Sequence, residues 1–239
     1  MARIDRPLTF AAVGLITYGV VILYSAGQTD VVTAAEGVWM RQLVWCGVGL
    51  VAGFIVFRTS FRLIEWLTPA IYVFGILLLM VVLFVGTGAG TAAGTKSWLA
   101  LGGHRIGQPA ELAKLATVLM LARHLSSLKE APRSLRSLWQ PSLIVGVPFL
   151  LVMKQPDLGS ALVFIGIYFA MLYWAGVRPR LLFMVASPGV SLLLAVSTWS
   201  WGIWIVLVII LMVAWRPYVW ESVVVVGLNV ATGVAALVL

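Results

Sequence analysis

The chain has 239 residues, of which 62% are hydrophobic and only 10% are charged. Soluble domains average about 45–50% apolar and about 25% charged residues, so this composition excludes an ordinary soluble protein and indicates an integral membrane protein. The formal charge of +8 would indicate nucleic acid binding in a soluble protein. Here the basic residues lie in short loops between apolar segments, where orientation in the bilayer accounts for them, and no nucleic acid partner is expected.

Apolar runs in chain order predict an all-α, polytopic transmembrane bundle with about nine membrane segments, forming a single domain over residues 1–239. The first run lacks a convincing small-residue cleavage site and is expected to be a retained helix. The segments 181–198 and 200–215 are either two crossings or one hairpin that re-enters from the same side. The predicted helices are 8–26, 42–57, 66–86, 108–125, 141–154, 158–176, 181–198, 200–215 and 219–239.

The distribution of basic residues between the predicted loops indicates the orientation of the chain. With the N-terminus inside, eleven Lys or Arg residues fall in inner loops and four, Arg41, Lys96, Arg105 and Lys154, fall outside. The excess of basic residues inside favours a cytoplasmic N-terminus. Trp199, Trp201 and Trp204 are then expected to be anchors at the outer interface.

Two outer connections carry polar residues. Residues 86–109 are rich in Gly and Thr and long for a loop between helices, which makes this loop a candidate functional segment that contains Lys96 and Arg105. The P-loop spacing is absent, so a nucleotide site is not expected. The second connection, 153–162, places Asp157 at a helix start, where it either caps free amide groups or contacts a ligand.

Glu111 and Lys114 lie three residues apart in an apolar helix, just after Pro109 at the helix start. This spacing puts both side chains on one face, so they can pair and reduce the cost of placing charge in a membrane. One interpretation is a structural ion pair near the outer boundary. The other is an outward-facing polar cavity, because intramembrane charges tend to face a bundle interior or a water-filled path.

Two motifs resemble a known family. The runs "GTKSWLALGGHRIGQPAELAKLATVLMLARHL" and "KQPDLGSALVFIGIYFAMLYWAGV", together with "LYSA" at the end of the first helix, are similar to the SEDS proteins (shape, elongation, division and sporulation). The KSW form is most similar to the rod-shape branch, RodA, rather than to the division branch, FtsW. The family motif commonly reads QPSE where this chain has QPAE at 108–111. Ser97 stands where many relatives have an arginine, so Lys96 or Arg105 is expected to supply that charge.

This resemblance implies a glycosyltransferase that polymerises lipid II into glycan strands during cell elongation, with a class B penicillin-binding protein as partner. It places the protein in the bacterial inner membrane and implies that Glu111, Lys114 and Asp157 line an outward-facing substrate cavity. Further candidates for the lining of this cavity are Lys96, Arg105, Gln108 and Gln155. The family's catalytic aspartate is expected after Leu239, so the chain is expected to be the N-terminal, cavity-forming part of a longer protein that also contacts membrane lipids. A lipid II flippase and a membrane scaffold for the synthase remain alternatives. No cofactor or metal site is evident in the sequence, and a need for a divalent metal is left open.

Overall fold

The computed structural model describes residues 5–28, 37–88, 97–101 and 104–238. The all-α expectation is confirmed, because nine α-helices account for most of these ranges. A 3-10 helix, Leu135–Leu138, leads directly into α5. The α-helices are α1 Arg6–Gly27, α2 Val38–Arg58, α3 Phe61–Val85, α4 Pro109–Ser127, α5 Trp139–Met153, α6 Leu158–Trp174, α7 Pro179–Leu194, α8 Thr198–Trp215 and α9 Val219–Val238.

Six helical segments of the described chain are long and apolar enough to cross a membrane. They are α1, α2, α3, the 3-10 helix continued by α5, α8 and α9. The apolar helices α6 and α7 are shorter, at 17 and 16 residues. At a rise of about 1.5 Å per residue, each is about 24–26 Å long, slightly less than the hydrocarbon core. The predicted segments 181–198 and 200–215 correspond to two separate helices, α7 and α8. Both alternatives, two crossings and one re-entrant hairpin, stay predictions.

The chain divides into two compact units, Met1–Ile64 and Glu65–Leu239. In the first unit α1 and α2 contact each other, and the rings of Tyr24 and Trp39 meet edge to face. Neither helix buries a residue. This mostly apolar exposed surface is compatible with helices that face lipid.

The second unit has a continuous core in which α5 packs closely on α6 and α7 packs closely on α9. Leu121, Phe164 and Leu172 are fully buried there. Several polar side chains inside this apolar unit pair with one another, as the hydroxyls of Ser142 and Tyr168 do at 2.7 Å between α5 and α6. Such contacts are needed because a membrane supplies no water to unpaired polar groups.

A polar network ties α7, α8 and α9 together. Asn229, fully buried in α9, donates to the Ser187 hydroxyl at 2.8 Å and accepts from the indole of Trp204 at 3.0 Å. Ser191 donates to the Asn229 carbonyl at 2.7 Å and accepts from the indole of Trp201 at 3.0 Å. Interhelical hydrogen bonds of this kind orient membrane helices, because the hydrophobic effect does not drive such helices together.

The expectation of three outer tryptophan anchors on α8 is therefore wrong for two of them. Trp199 is 85% exposed and fits an interface anchor. Trp201 and Trp204 are half-buried and donate to Ser191 and Asn229. Each indole N–H needs an acceptor in an apolar environment, and the polar atoms of α7 and α9 provide one.

Pro188 lies inside α7, where it removes one backbone donor from the helix. The carbonyl that loses its partner is that of Met184, four residues earlier. The Ser187 hydroxyl donates to this carbonyl at 3.0 Å, and Thr232 of α9 donates to the Pro188 carbonyl at 3.1 Å. The proline is thus accommodated by a neighbouring serine and by the adjacent helix.

Part of the long connection between α3 and α4 is a β-hairpin, which the sequence did not predict. Strands β1, Leu99–Leu101, and β2, His104–Gly107, are antiparallel, with an irregularity between Leu99 and Ala100. Thr87, just after α3, forms an isolated bridge with Trp98. The hairpin thereby connects the end of α3 to the start of α4.

Candidate functional site

The start of α4 is set by Gln108 and Pro109. Gln108 is the N-cap residue in an extended conformation, and Pro109 occupies the first helical position, as the sequence predicted. The Gln108 side chain does not cap its own helix. It is free to reach a neighbouring element instead.

Asp157 caps α6, which confirms one of the two interpretations made from the sequence. Its Oδ1 accepts the backbone N–H of Ser160 at 3.0 Å. Its Oδ2 accepts from Nε2 of Gln108 at 2.7 Å, and the same Nε2 lies 3.3 Å from the Ser160 hydroxyl. The two sequence motifs therefore meet at their helix starts, and the N-termini of α4 and α6 are neighbours.

Glu111 and Lys114 form an ion pair within α4, with Lys114 Nζ 2.7 Å from Glu111 Oε1. The pairing expected from their spacing is confirmed. Lys114 is the more buried partner, at 16% side-chain exposure against 63% for Glu111. An ammonium has three donors, so two of the three on Lys114 remain for other acceptors.

Gln155 lies between α5 and α6 and is fully buried. Its Nε2 donates to the carbonyl of Leu79 in α3 at 3.3 Å, whereas its Oε1 has no hydrogen-bond partner among the described residues. The buried hydroxyl of Ser97 has none in the same ranges. Buried polar atoms are normally paired, so these two atoms are exceptions within the described residues.

The structure says less about the remaining residues proposed from the sequence. Lys96 lies outside the described residues, and Arg105 is described only for its backbone, in β2. Lys154 is the exposed C-cap residue of α5. A shared cavity lined by the full proposed set therefore stays a prediction.

The arrangement brings polar groups together at one end of a mostly apolar unit. Two helix N-termini, each with a partial positive charge, carry Glu111 in the first turn of α4 and Asp157 at the cap of α6. Amide, hydroxyl and ammonium donors of Gln108, Ser160 and Lys114 lie beside these carboxylates. Such a set can bind sugar hydroxyls and phosphate oxygens through charge-assisted hydrogen bonds.

Sequence reasoning missed Ser160 and the buried Asn229. Ser160 follows Asp157 by three residues, which is the spacing of a capping pair and could have indicated its contact. Asn229 stands alone in an apolar run, and an isolated polar residue within a membrane helix is itself a signal. Within the described residues, no three His, Cys, Asp or Glu side chains form a group that could hold a metal ion.

An apolar helical bundle with a polar site at one end defines a polytopic membrane protein, and comparison with known proteins identifies its family. The sequence pattern of the FtsW, RodA and SpoVE family, described as cell cycle proteins, matches residues 6–220. The chain belongs to this family.

Individual proteins that are similar to this chain support its membership of the family. The chain is 32% identical over 200 residues to a probable peptidoglycan glycosyltransferase FtsW of Trichlorobacter lovleyi, covering 80% of this chain and 50% of that protein. Its structure is similar to the crystal structure of Thermus thermophilus RodA, with a TM-score of 0.62, 30% identity and coverage of 74% and 56% of the two chains. At 22% identity it shares the fold of a chain from a peptidoglycan synthase complex that coordinates polymerization and crosslinking, with a TM-score of 0.61 and coverage of 98% and 88%. The chain spans about half the length of the FtsW relative.

Proposed function

We propose that this chain is the cavity-forming part of a peptidoglycan glycosyltransferase that polymerises lipid II. Membership of the FtsW, RodA and SpoVE family supports the class of reaction, because the FtsW relative carries that activity in its name. The observation that supports the location of the site is the hydrogen bond between Gln108 and Asp157, which joins the two motifs at the starts of α4 and α6.

In this proposal the described residues bind and orient the substrate rather than start the reaction. Glycosyl transfer forms a bond between an acceptor hydroxyl oxygen and the donor sugar carbon, and it breaks the bond from that carbon to the lipid diphosphate. The acceptor proton passes to a carboxylate base of the intact enzyme that is neither Glu111 nor Asp157. Lys114 uses its free donors on the departing diphosphate, where a fixed positive charge stabilises the developing negative charge.

Glu111 and Asp157 are poor choices for the base in this scheme. Glu111 is already bound to the Lys114 ammonium. Both oxygens of Asp157 accept hydrogen bonds, one from Ser160 and one from Gln108. Since each acid already holds a donor of the site in place, we assign to both the role of fixing the positions of Lys114 and Gln108.

We further assign the chain to the rod-shape branch, acting in cell elongation with a class B penicillin-binding protein. The KSW sequence and the similarity to Thermus thermophilus RodA support the branch. The shared fold with a chain of a peptidoglycan synthase complex supports a crosslinking partner. Rescue of rod shape in cells depleted of their own elongation polymerase tests this assignment, whereas rescue of division alone would place the protein in the other branch.

The decisive experiment measures strand synthesis and lipid movement side by side. The full-length natural protein, with its partner synthase, is given fluorescent lipid II, and glycan strands are separated by electrophoresis. Lys114→Ala is expected to reduce strand synthesis at least ~100-fold, whereas Arg133→Ala, which removes an exposed i, i+3 partner of Glu130, should leave it unchanged. Headgroup translocation without strand synthesis would support the flippase alternative and contradict the proposal. Full activity of Lys114→Ala would favour a scaffold.

A further inference from the structure

The end of the second unit opposite the Gln108–Asp157 contact is rich in basic side chains. Two contacts show that its loops lie together. The backbone N–H of Leu135 donates to the carboxylate of Glu221 at 2.7 Å, and the guanidinium of Arg180 lies over the ring of Trp215. We call this region the basic end, defined by the basic residues Lys129, Arg133, Arg136, Arg178, Arg180 and Arg216.

A groove of about 530 Å³ opens at the basic end, between the 3-10 helix and the first turns of α9. It is lined by Leu135, Arg136, Trp220 and Val224. Three of these residues are apolar or aromatic, and the fourth is an exposed arginine that forms no ion pair with any described residue. The neighbouring Arg133, in contrast, is paired with Glu130 at 3.0 Å.

The groove lies at the depth where lipid headgroups meet acyl chains. The 3-10 helix continued by α5, and α9, are both long and apolar enough to cross a membrane, and the groove is at the start of each. Trp220 is the second residue of α9, and Val224 lies one turn, about 6 Å, further along the helix. Arg136 precedes α5 and is therefore at headgroup level, whereas Val224 is at acyl-chain level.

An acid near the groove, Glu221, is engaged by the protein backbone and forms no ion pair with Arg136. Glu221 is only 4% exposed, and its Oε1 is bonded to the backbone of Leu135. It is absent from the groove lining. The charge that the groove presents to the membrane is that of Arg136.

We propose that this groove binds one phospholipid with an anionic headgroup from the leaflet at the basic end. The upper part of an acyl chain lies against Leu135, Trp220 and Val224. The lipid phosphate accepts hydrogen bonds from the guanidinium of Arg136, whose planar fork suits phosphate oxygens. The surrounding basic residues add a general attraction for anionic lipid. This site is independent of the proposed transferase activity.

Native mass spectrometry of the full-length natural protein tests the proposal, with dioleoyl phosphatidylglycerol and dioleoyl phosphatidylcholine as the two lipid probes. Wild-type protein should retain one phosphatidylglycerol in preference to phosphatidylcholine. Arg136→Ala should weaken its retention about tenfold. The matched control Arg133→Ala, whose side chain is 67% exposed and already paired, should not. Val224→Trp should weaken retention by filling the groove while Arg136 is kept.

Each remaining result would overturn the proposal. Equal retention of both lipids would mean that the headgroup is not recognised. Equal loss in Arg133→Ala and Arg136→Ala would show a diffuse charge effect rather than a site. Unchanged retention in Val224→Trp would place the lipid elsewhere and leave the groove to a protein partner. Arg136 is exposed, so its variant is expected to fold, and melting curves recorded without lipid check this for all three variants.

Discussion

Gln108 donates a hydrogen bond of 2.7 Å to Asp157, although 49 residues separate them in the chain. The bond joins the N-cap residues of α4 and α6. An N-cap aspartate normally accepts hydrogen bonds only from its own helix. Asp157 also accepts one from Gln108, so the position of the α6 cap depends on the N-cap residue of α4.

We expect Gln108 and Asp157 to be energetically coupled. Hydrogen bonds to charged groups contribute about 1.5–3 kcal/mol, so the double variant Gln108→Ala/Asp157→Ala should lose less stability than the sum of the single changes, by about that amount. Thermal or denaturant unfolding of the full-length protein in detergent measures this coupling. The pair Gln108 and Ser160, at 3.3 Å, serves as the control and should show a smaller value. Additive effects for Gln108 and Asp157 would contradict the contact.

The Glu111–Lys114 pair should respond asymmetrically to removal of each partner. Glu111→Ala leaves a largely buried ammonium without a partner, whereas Lys114→Ala leaves a carboxylate that is 63% exposed and can be hydrated. Glu111→Ala should therefore destabilise the protein more, by about 1–2 kcal/mol. The exposed pair Glu130–Arg133 has the same i, i+3 spacing and should show a coupling below about 0.5 kcal/mol. Equal losses from the two α4 changes would show that the burial difference has no effect.

The orientation of the chain can be tested at two exposed lysines that form no ion pair with described residues. With Cys46 replaced, Lys129→Cys in the α4–α5 loop should resist labelling by a membrane-impermeant maleimide in intact cells. Lys154→Cys, at the other end of α5, should react readily. The physical reason is the excess of basic residues in the loops on the Lys129 side. The reverse labelling pattern would invert the predicted topology.

Gly233 of α9 should not tolerate a side chain. A Cβ there would overlap the indole of Trp201, which donates to Ser191. Gly233→Ala should therefore cost about 1–3 kcal/mol of stability through overpacking, measured by thermal unfolding. Gly227 lies on the same helix, and a Cβ added there would meet nothing within 4 Å, so Gly227→Ala should be neutral or stabilising by up to about 1 kcal/mol. A neutral Gly233→Ala would show that Trp201 has room to move.

The sequence predicted the helices well because apolar runs of membrane length have few alternative structures. The largest difference is at a charged helix start. α3 begins at Phe61 rather than at 66, since Arg62 and Glu65 belong to its first turns although they interrupt the apolar run. The β-hairpin at 99–107 was missed because its strands are short and lie in a segment rich in glycine. Hydropathy locates a span, but it does not describe the polar turns around it.

The candidate site was predictable only in part. The spacing of Glu111 and Lys114 indicated their pairing, and the position of Asp157 before an apolar run indicated a cap. The contact of Gln108 with Asp157 depends on how α4 and α6 pack, and local sequence carries no such information. The role of Asn229 was also hidden, because its partners come from α7 and α8.

The bond between the Leu135 amide and the carboxylate of Glu221 has a consequence for how the protein is assembled during synthesis. Leu135 leaves the ribosome 86 residues before its acceptor, so its amide has to wait for α9 before this bond can form. Until α9 docks, the amide proton of Leu135 exchanges with solvent, and afterwards the hydrogen bond to Glu221 protects it from exchange. Deuterium uptake at this single amide therefore reports whether α9 has docked, independently of any enzymatic assay.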